Sequence, residues 1–349
     1  DSDSTVVHSL MIEDRIFPPP KECTANAITS SFAEYKKQYK TSIENPEQYW
    51  KEVASAFDWV EEPKNVIDCD FTTASIKWFE GGKLNATTNL LDRHINSGKG
   101  KRSCLTFEAD DGASESFSYE EVLRHVEAVG NVLRKELGVK KGDRVTIYLP
   151  MIPLLAFSVL ACARIGAVHS VVFAGFSAEA LATRIEDCES NVVLTCGGGI
   201  RGGKTIPLKA VVNEAAKAKG CNVTKVAVTQ RSPEANNREG WEEGRDLNFD
   251  ALVEKYLENG DACVPETMRA DDPLFILYTS GSTGKPKGVM HSTAGYLTYA
   301  AHTFRNVFDY QGAEDDVHFC TADIGWITGH SYLLYGPLAN GAHSVMFEG

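Results

Sequence analysis

The segment "RVTIYLPMIPLLAFSVLACARIGAVHSVVF", residues 144–173, decides the fold. "RVTIYL" predicts a strand, and "AVHSVVF" predicts a second one. Between them lies a helical pattern that Pro153 opens and Gly166 closes. The alternation continues, because "SAEALATRIEDC" predicts a helix and "NVVLTC" a strand. Alternating strands and helices at this spacing predict right-handed crossovers and a largely parallel, helix-covered sheet. The predicted fold class is therefore α/β, with ligands expected at the carboxyl ends of the strands.

The sequence before this segment is organised differently. Residues 1–30 contain "PPP" and few apolar residues, which predicts an extended arm. Aromatic spacing over residues 31–56 predicts two helices, separated at Asn45 and Pro46. Further on, Ser118 with Glu120 and Glu121 predicts a well-capped helix start.

Composition and charge exclude several classes of function. The 349 residues include 35 Lys and Arg against 48 Asp and Glu, a net charge of −13. Such a balance argues against a surface for nucleic acid or for anionic membranes, so an anionic ligand must be met by local cations. Nine scattered Cys without a Cys-x-x-Cys pair predict reduced thiols inside the cell. The N-terminus lacks a signal-peptide pattern, and no window reaches the roughly 18 apolar residues of a membrane span. We therefore expect a soluble, cytoplasmic protein.

The loop "YTSGSTGKPKG", residues 278–288, follows the apolar run "LFIL" and precedes a helical pattern that Ser292 can cap. Its glycines allow close backbone approach to a polyphosphate such as that of ATP, and its hydroxyls and two lysines can bind the charge. The loop is not a Walker motif, because Pro286 stands where that motif has Ser or Thr. The alternative is a surface linker, although a linker need not join a buried strand to a capped helix. The predicted phosphate-binding residues are Thr279, Ser280, Gly281, Ser282, Thr283, Gly284, Lys285 and Lys287.

A second glycine-rich run, "NVVLTCGGGIRGGKTIPLK", contains a formal G-x-G-x-x-G pattern. We reject a dinucleotide site, because Pro207 predicts that the helix begins several residues after the glycines. Arg201 and Lys204 are better interpreted as cations on a pliable loop for a second phosphate-bearing ligand. The alternative is two solvated charges.

A third run, "DIGWITGHSYLLYGPL", places Trp326 in a loop between glycines. A Trp at the carboxyl end of a strand can form the wall of a small apolar pocket, although a lone Trp is more often part of the core. His330 is interpreted as a satisfied buried histidine rather than a base.

The phosphate loop, in its long form "YTSGSTGKPKGV", resembles the signature loop of the adenylate-forming acyl-CoA ligases, a family related to luciferases and peptide-synthetase adenylation domains. "IKWFEGGKLN", "GAVHSVVFAGFSAEAL", "IRGGKTIPLK" and the Trp326 run narrow the resemblance to the acetate-activating, AMP-forming members, from about residue 31 onward. The resemblance implies that acetate and ATP give acetyl-adenylate and pyrophosphate, and that coenzyme A then takes the acetyl group and releases AMP. It assigns coenzyme A contacts to Arg201, Gly202, Gly203, Lys204 and Thr328, and the acyl pocket to Trp326 and Ile327.

Two positions bear on this assignment. Close relatives more often have Arg where Lys204 stands, so the cation is kept but bidentate geometry is lost. Propionate-specific relatives tend to have Val in place of Thr328, which favours acetate here.

The resemblance also implies a domain plan, with an arm and helical extension over residues 1–95 and the first part of the AMP-binding domain over residues 96–349. Family members continue past the position of Gly349 with the segments for adenine, ribose, Mg²⁺ and most of the acetate pocket, and then with a domain bearing the adenylation lysine. We therefore expect this chain alone to be inactive, and name no catalytic residue, no metal ligand and no tightly bound cofactor. The expected substrates are acetate, ATP with Mg²⁺, and coenzyme A. Two alternatives stay open, another short-chain acyl-CoA ligase and a non-catalytic nucleotide-binding module; a structural protein would leave the loop unexplained.

Overall fold

The protein is described from a computed structural model that covers residues 16–201, 203–231, 240–279 and 284–349. Among these residues, no helix is long and apolar enough to cross a membrane. In the described part of the chain, π-helical turns occur at Thr88–Asp92, Ile95–Lys99, Val132–Glu136 and His330–Tyr335. The α-helices are α1 Lys21–Ala25, α2 Phe32–Glu44, α3 Pro46–Ala54, α4 Tyr119–Asn131, α5 Pro153–Ile165, α6 Ala178–Asp187, α7 Leu208–Ala215, α8 Phe249–Asn259, α9 Thr293–Val307, α10 Ile327–Gly329 and α11 Gly336–Ala339.

A seven-stranded sheet forms the centre of the molecule, in the order β12-β11-β8-β6-β7-β14-β15. All neighbouring strands in it are parallel except the pair β14 and β15. The predicted α/β class with a largely parallel sheet is confirmed. The strands are β1 Asn65–Asp70, β2 Ser75–Glu80, β3 Lys83–Leu84, β4 Ser103–Glu108, β5 Ser114–Ser118, β6 Arg144–Tyr148, β7 Val168–Val171, β8 Val192–Cys196, β9 Gly199–Arg201, β10 Lys204–Ile206, β11 Lys225–Thr229, β12 Asp246–Asn248, β13 Met268–Arg269, β14 Pro273–Thr279, β15 Lys287–Ser292, β16 Val317–Phe319 and β17 His343–Phe347.

Local signals explain where the helices beside this sheet begin and end. Helix α5 starts with Pro153 and ends before Gly166, whose φ of +73° is the left-handed conformation that glycine adopts at helix ends. Helix α4 begins with a capping box, in which Ser118 and Glu121 each bind the other's backbone N–H. Both boundaries agree with the sequence-based predictions.

A smaller sheet, in the order β16-β17-β4-β5, lies beside the central one. Strand β17 pairs on both sides, with β16 and with β4. Strand β16 is therefore at one edge of this sheet, where Val317 and Phe319 are exposed.

The two helices predicted over residues 31–56 are present as α2 and α3, which together we call the helical extension. Helices α2 and α3 meet at Asn45, as predicted, and Ser31 caps α2 by accepting a hydrogen bond from the Glu34 N–H. The predicted arm is only partly described, and its described part contains the five-residue helix α1 rather than an extended chain throughout. Tyr49 contacts His302 of α9 across 2.9 Å, which joins the extension to the body of the protein.

Candidate functional site

The carboxyl ends of four neighbouring strands, β8, β6, β7 and β14, lie along one edge of the central sheet. The chain order reverses there, because β7 lies on one side of β6 and β8 on the other. In open α/β sheets, ligands bind at such a reversal, outside the carboxyl ends of the strands. The three runs singled out in the sequence contribute to this edge, which we call the ligand edge.

A cavity of about 280 Å³ opens at the ligand edge. Met151 lines it after β6, Phe173 lines it after β7, and Gly199 and Ile206 line it from the hairpin after β8. The end of β17 closes it with Phe347 and the two residues that follow. The cavity therefore lies where the central and smaller sheets meet.

Trp326 lines this cavity and is not part of the core, since its side chain is 48 % exposed. Its ring lies 4.8 Å from the ring of Phe173 between centroids, at an interplanar angle of 52°. Ile327 and Thr328, the other two residues expected near the acyl group and coenzyme A, are exposed at α10 and do not line the cavity. The pair of aromatic rings is thus the wall that this structure provides.

Two glycines hold the Trp326 loop close to its neighbours. A Cβ atom at Gly325 would lie 3.3 Å from the backbone nitrogen of Phe173, and one at Gly329 would lie 2.2 Å from the carbonyl oxygen of Asp323. The Gly325 N–H also donates to the Asp323 carboxylate across 2.6 Å. Side chains at these two positions would displace Trp326 from Phe173, so the close approach requires glycine.

The loop that carries Lys204 is an antiparallel hairpin made of β9 and β10. Gly203 makes its turn, with φ at +70°, and Lys204 is exposed. Gly202 and the side chain of Arg201 lie outside the described residues. Helix α7 begins at Leu208, after the whole hairpin. A dinucleotide fingerprint needs the helix to begin within the glycines, so its rejection is confirmed.

The predicted phosphate loop is anchored at both ends on strands. Thr279 ends β14, Lys287 begins β15, and Gly284 and Lys285 are exposed between them. Ser280, Gly281, Ser282 and Thr283 lie outside the described residues. We expected the chain to pass from strand to loop to helix, but β15 runs back antiparallel to β14 before α9 begins. That expectation was wrong because "KGVMHS" pairs with the edge of β14 rather than joining the helix.

The start of α9 also differs from the expectation. Ser292 is the N-cap residue, but its side chain makes no capping hydrogen bond. Thr293 fixes the helix start in another way, since its N–H and its hydroxyl both donate to the carbonyl oxygen of Asp272, across 2.9 and 2.8 Å. The helix start is thus tied to the beginning of β14.

Three lysines of the ligand edge form no ion pair within the described residues. Lys204, Lys285 and Lys287 form none of the ion pairs found there, although carboxylates are in excess across the chain. Each of the three side chains is exposed. Unpaired lysines in loops that follow the carboxyl ends of the parallel strands can attract a polyphosphate despite the net negative charge.

Sequence reasoning missed an ion pair at the floor of the cavity. Glu348 follows β17 and lines the cavity, and Arg231, which follows β11, binds it through two contacts of 2.5 and 2.8 Å. The Asp110 N–H donates to the same carboxylate across 3.0 Å. These hydrogen bonds raise the pKa of Arg231. The pair ties the smaller sheet to the central one beside the cavity, and its partners are 117 residues apart, so no local pattern could reveal it.

His330 is buried, as expected, but it is not satisfied. Neither of its ring nitrogens makes a hydrogen bond, and the ring stacks on the equally buried His169 with centroids 5.5 Å apart. Burial lowers the pKa of His330 to about 4, so the imidazole is neutral at neutral pH. The interpretation as a satisfied core histidine was therefore wrong in this respect.

The described residues contain no cluster of three or more His, Cys, Asp or Glu side chains that could hold a metal ion.

Comparison with known families identifies the family to which the chain belongs. The model of the AMP-binding enzyme family matches residues 91–349. The chain belongs to this family. Residues 35–90 match a second model, the acetyl-coenzyme A synthetase N-terminus. The resemblance of the chain to the adenylate-forming ligases is thus confirmed at the level of the AMP-binding enzyme family.

Several relatives of this AMP-binding enzyme are named acetyl-coenzyme A synthetase. The protein of Leptospira biflexa is 51% identical over 340 residues, which is 97% of this chain and 51% of the relative. The proteins of Rhizobium rhizogenes and Parvibaculum lavamentivorans are 49% and 48% identical over the same shares of each chain. The chain thus spans about half the length of the curated relatives it matches.

Proposed function

We propose that the natural protein is an acetate–CoA ligase that forms AMP. A carboxylate oxygen of acetate attacks the α-phosphorus of ATP, and the bond to pyrophosphate breaks. The sulfur of coenzyme A then attacks the acetyl carbon, and AMP leaves with the electron pair of the broken carbon–oxygen bond. The observation that supports this best is the small cavity at Trp326 on the sheet edge where the phosphate loop and the Lys204 hairpin also end.

For ATP, the proposal assigns the phosphates to Thr279 through Lys287. Lys285 and Lys287 provide charge, the glycines allow close backbone approach, and the hydroxyls of the loop donate hydrogen bonds. Because β14 neighbours β7 in parallel register, the loop starts beside the strand whose end carries Phe173. The α-phosphate and the carboxylate can thus meet at the ligand edge, and the gain comes from holding two anions in position. ATP would enter as its Mg²⁺ complex. The described residues contain no cluster of three or more side chains that could bind the ion.

For coenzyme A, the proposal assigns phosphate contacts to the hairpin from Arg201 to Lys204, with Thr328 as a further contact. Lys204 is exposed and unpaired among the described residues, which suits an anionic ligand. The hairpin also lines the cavity through Gly199 and Ile206, so a molecule bound there has a path to the acyl group.

For the acyl group, we assign the wall of the cavity to Trp326, with Ile327 as a further contact that would have to come from beside the cavity, since it follows Trp326 at the start of α10. A volume of about 280 Å³ shared by the acyl group and the end of coenzyme A suits a short chain. We propose that Thr328 favours acetate over propionate.

We also propose that the N-terminal extension ends at residue 95 and that the AMP-binding domain begins at residue 96. The proposed location is the cytoplasm, and the proposed partners are small molecules rather than nucleic acid or membranes.

The test uses the natural full-length protein and measures ATP–pyrophosphate exchange with and without acetate. The proposal predicts exchange only with acetate, and acetyl-CoA and AMP in equal amounts once coenzyme A is added. ATP binding without exchange would favour a nucleotide-binding module instead. Faster exchange with propionate than with acetate would favour another short-chain acyl-CoA ligase.

A further inference from the structure

A second and larger cavity, of about 620 Å³, lies between the helical extension and α9. Helices α2 and α3 line one side with Lys37 and Tyr49, and α9 lines the other with His302 and Arg305. The cavity shares no lining residue with the one at Trp326. We call it the junction cavity, and the proposed reaction does not use it.

Three cations line the junction cavity; Lys37 and Arg305 are exposed, and Arg93 also feels the charge of Asp58 outside the lining. Lys37, Arg93 and Arg305 form none of the ion pairs found among the described residues. The guanidinium of Arg93 donates to the carbonyl oxygens of Ala56 and Ala339, and its buried Nε has no hydrogen-bond partner. In a chain with excess carboxylates, three such cations in one cavity indicate a site for negative charge.

The size of that charge follows from the rest of the lining. Glu34 and Glu52 also line the cavity and leave an excess of one positive charge. Burial lowers the pKa of His302, and the charge of Arg305 lowers it further, which is the sign expected for an unneutralised cation nearby. The lining therefore matches a ligand with one net negative charge.

A buried hydroxyl provides an independent indication of a ligand. Thr298 lines the junction cavity, is 2% exposed, and its Oγ1 makes no hydrogen bond. A helical Thr usually donates to a carbonyl one turn earlier, as Thr303 of the same helix does to Tyr299 across 2.7 Å. A buried hydroxyl without a partner costs free energy unless something in the cavity binds it.

The same Thr298 side chain lines a neighbouring pocket of about 280 Å³. That pocket is aromatic, with Trp50, Trp78 and Tyr299 in its wall. The polar junction cavity and this aromatic pocket are therefore neighbours, and both are lined by Thr298. A ligand that fills both needs an anionic head and an apolar body.

We infer that the junction cavity binds a small organic carboxylate with an apolar or aromatic body. The carboxylate lies among Arg305, Lys37 and Arg93 and accepts the Thr298 hydrogen bond, and the body packs against the tryptophans. The volume lies in the range of small-molecule sites. Because the ligand contacts both the extension and α9, its binding stabilises their association.

The test measures phenylacetate binding to the natural full-length protein by calorimetry, in saturating acetate so that the acyl pocket is occupied. Phenylacetate should bind and raise the melting temperature, and the neutral phenylacetamide should not. Arg305→Gln and Lys37→Gln should each weaken phenylacetate binding about tenfold or more, the loss of a charged hydrogen bond. Lys36→Gln is the matched control, because this neighbour of Lys37 does not line the cavity and lies over Phe32. It should leave binding unchanged.

Thr298→Val separates a binding role from a structural one. Since the hydroxyl has no partner in the protein, its removal should leave the unliganded protein at least as stable while weakening binding several-fold. The inference is overturned if phenylacetate does not bind, or if its binding is unchanged in the Arg305, Lys37 and Thr298 variants. Inorganic phosphate binding as tightly as phenylacetate would overturn the assignment to a carboxylate with an apolar body.

Discussion

The rings of Phe173 and Trp326 lie 4.8 Å apart between centroids, although 153 positions separate the two residues in the chain. Phe173 follows β7 of the central sheet, and Trp326 precedes α10. Their contact forms the wall of the cavity at the ligand edge, and one ring holds the other in place. Removal of either ring should therefore affect the acyl pocket.

Phe173→Ala should raise the KM for acetate by about two- to tenfold, because an aromatic pair contributes roughly 0.5–1.5 kcal/mol beyond its buried area. The KM for ATP should change less. Steady-state kinetics of the full-length protein measure both, with Phe71→Ala as the control, since Phe71 is 81% exposed and outside the cavity. An unchanged KM for acetate would show that Phe173 does not support the acyl wall.

Lys285→Ala combined with Lys287→Ala should raise the KM for ATP or lower kcat, by about 1–3 kcal/mol in total. Both lysines are exposed and form no ion pair among the described residues, so their charges are available to the proposed phosphates. Lys219→Ala removes another exposed lysine and should have no effect. If the double variant keeps the ATP kinetics of the wild type, the loop does not hold the phosphates.

Lys204→Ala should separate the two half-reactions. Acetate-dependent pyrophosphate exchange should stay near the wild-type rate, while the KM for coenzyme A in thioester formation should rise several-fold. The reason is that the hairpin of β9 and β10 contacts coenzyme A but not ATP in this account. Equal losses in both half-reactions would indicate that the hairpin has a structural role.

Glu348→Ala should destabilise the protein by about 3 kcal/mol, because it leaves the charge of Arg231 without its buried partner. Denaturant unfolding of the full-length protein measures this loss. Glu266→Ala is the control, since its ion pair with Arg134 is partly exposed and should contribute under about 1 kcal/mol. Similar losses in the two variants would contradict the role of Glu348 in joining the sheets.

The buried imidazole of His330 should make stability depend on pH. Its folded-state pKa of about 4 is below the unfolded value of about 6.5, so the unfolded chain takes up the proton first as the pH falls. The stability that depends on a neutral His330 is fully present above about pH 6.5, and it is lost as the pH falls toward 4. His330→Phe should reduce the slope of unfolding free energy against pH in that window by about 1.4 kcal/mol per unit. Equal slopes in wild type and variant would show that His330 does not titrate as the structure indicates.

The sequence predicted those helices and strands whose formation depends on residues close together in the chain. Residues 144–196 alternate between apolar strands and helices with Pro and Gly at their ends, so α5 and its neighbours were predictable. Strand β15 was not, because "KGVMHS" has little alternation and is extended only through its pairing with β14. The predicted phosphate loop and the Trp326 loop were singled out by their residue types, and the phosphate role stays a prediction. Phe173 and the Arg231–Glu348 pair were missed because their partners are distant in sequence.

The central claim is that the natural protein activates acetate by adenylation. An isotope-transfer experiment tests this claim most directly. Acetate labelled with ¹⁸O in its carboxylate is turned over with ATP and coenzyme A by the full-length protein, and the products are analysed by mass spectrometry. Attack of the carboxylate on the α-phosphorus predicts one ¹⁸O atom in each AMP released with acetyl-CoA. Label in inorganic phosphate or pyrophosphate, with none in AMP, would contradict the account.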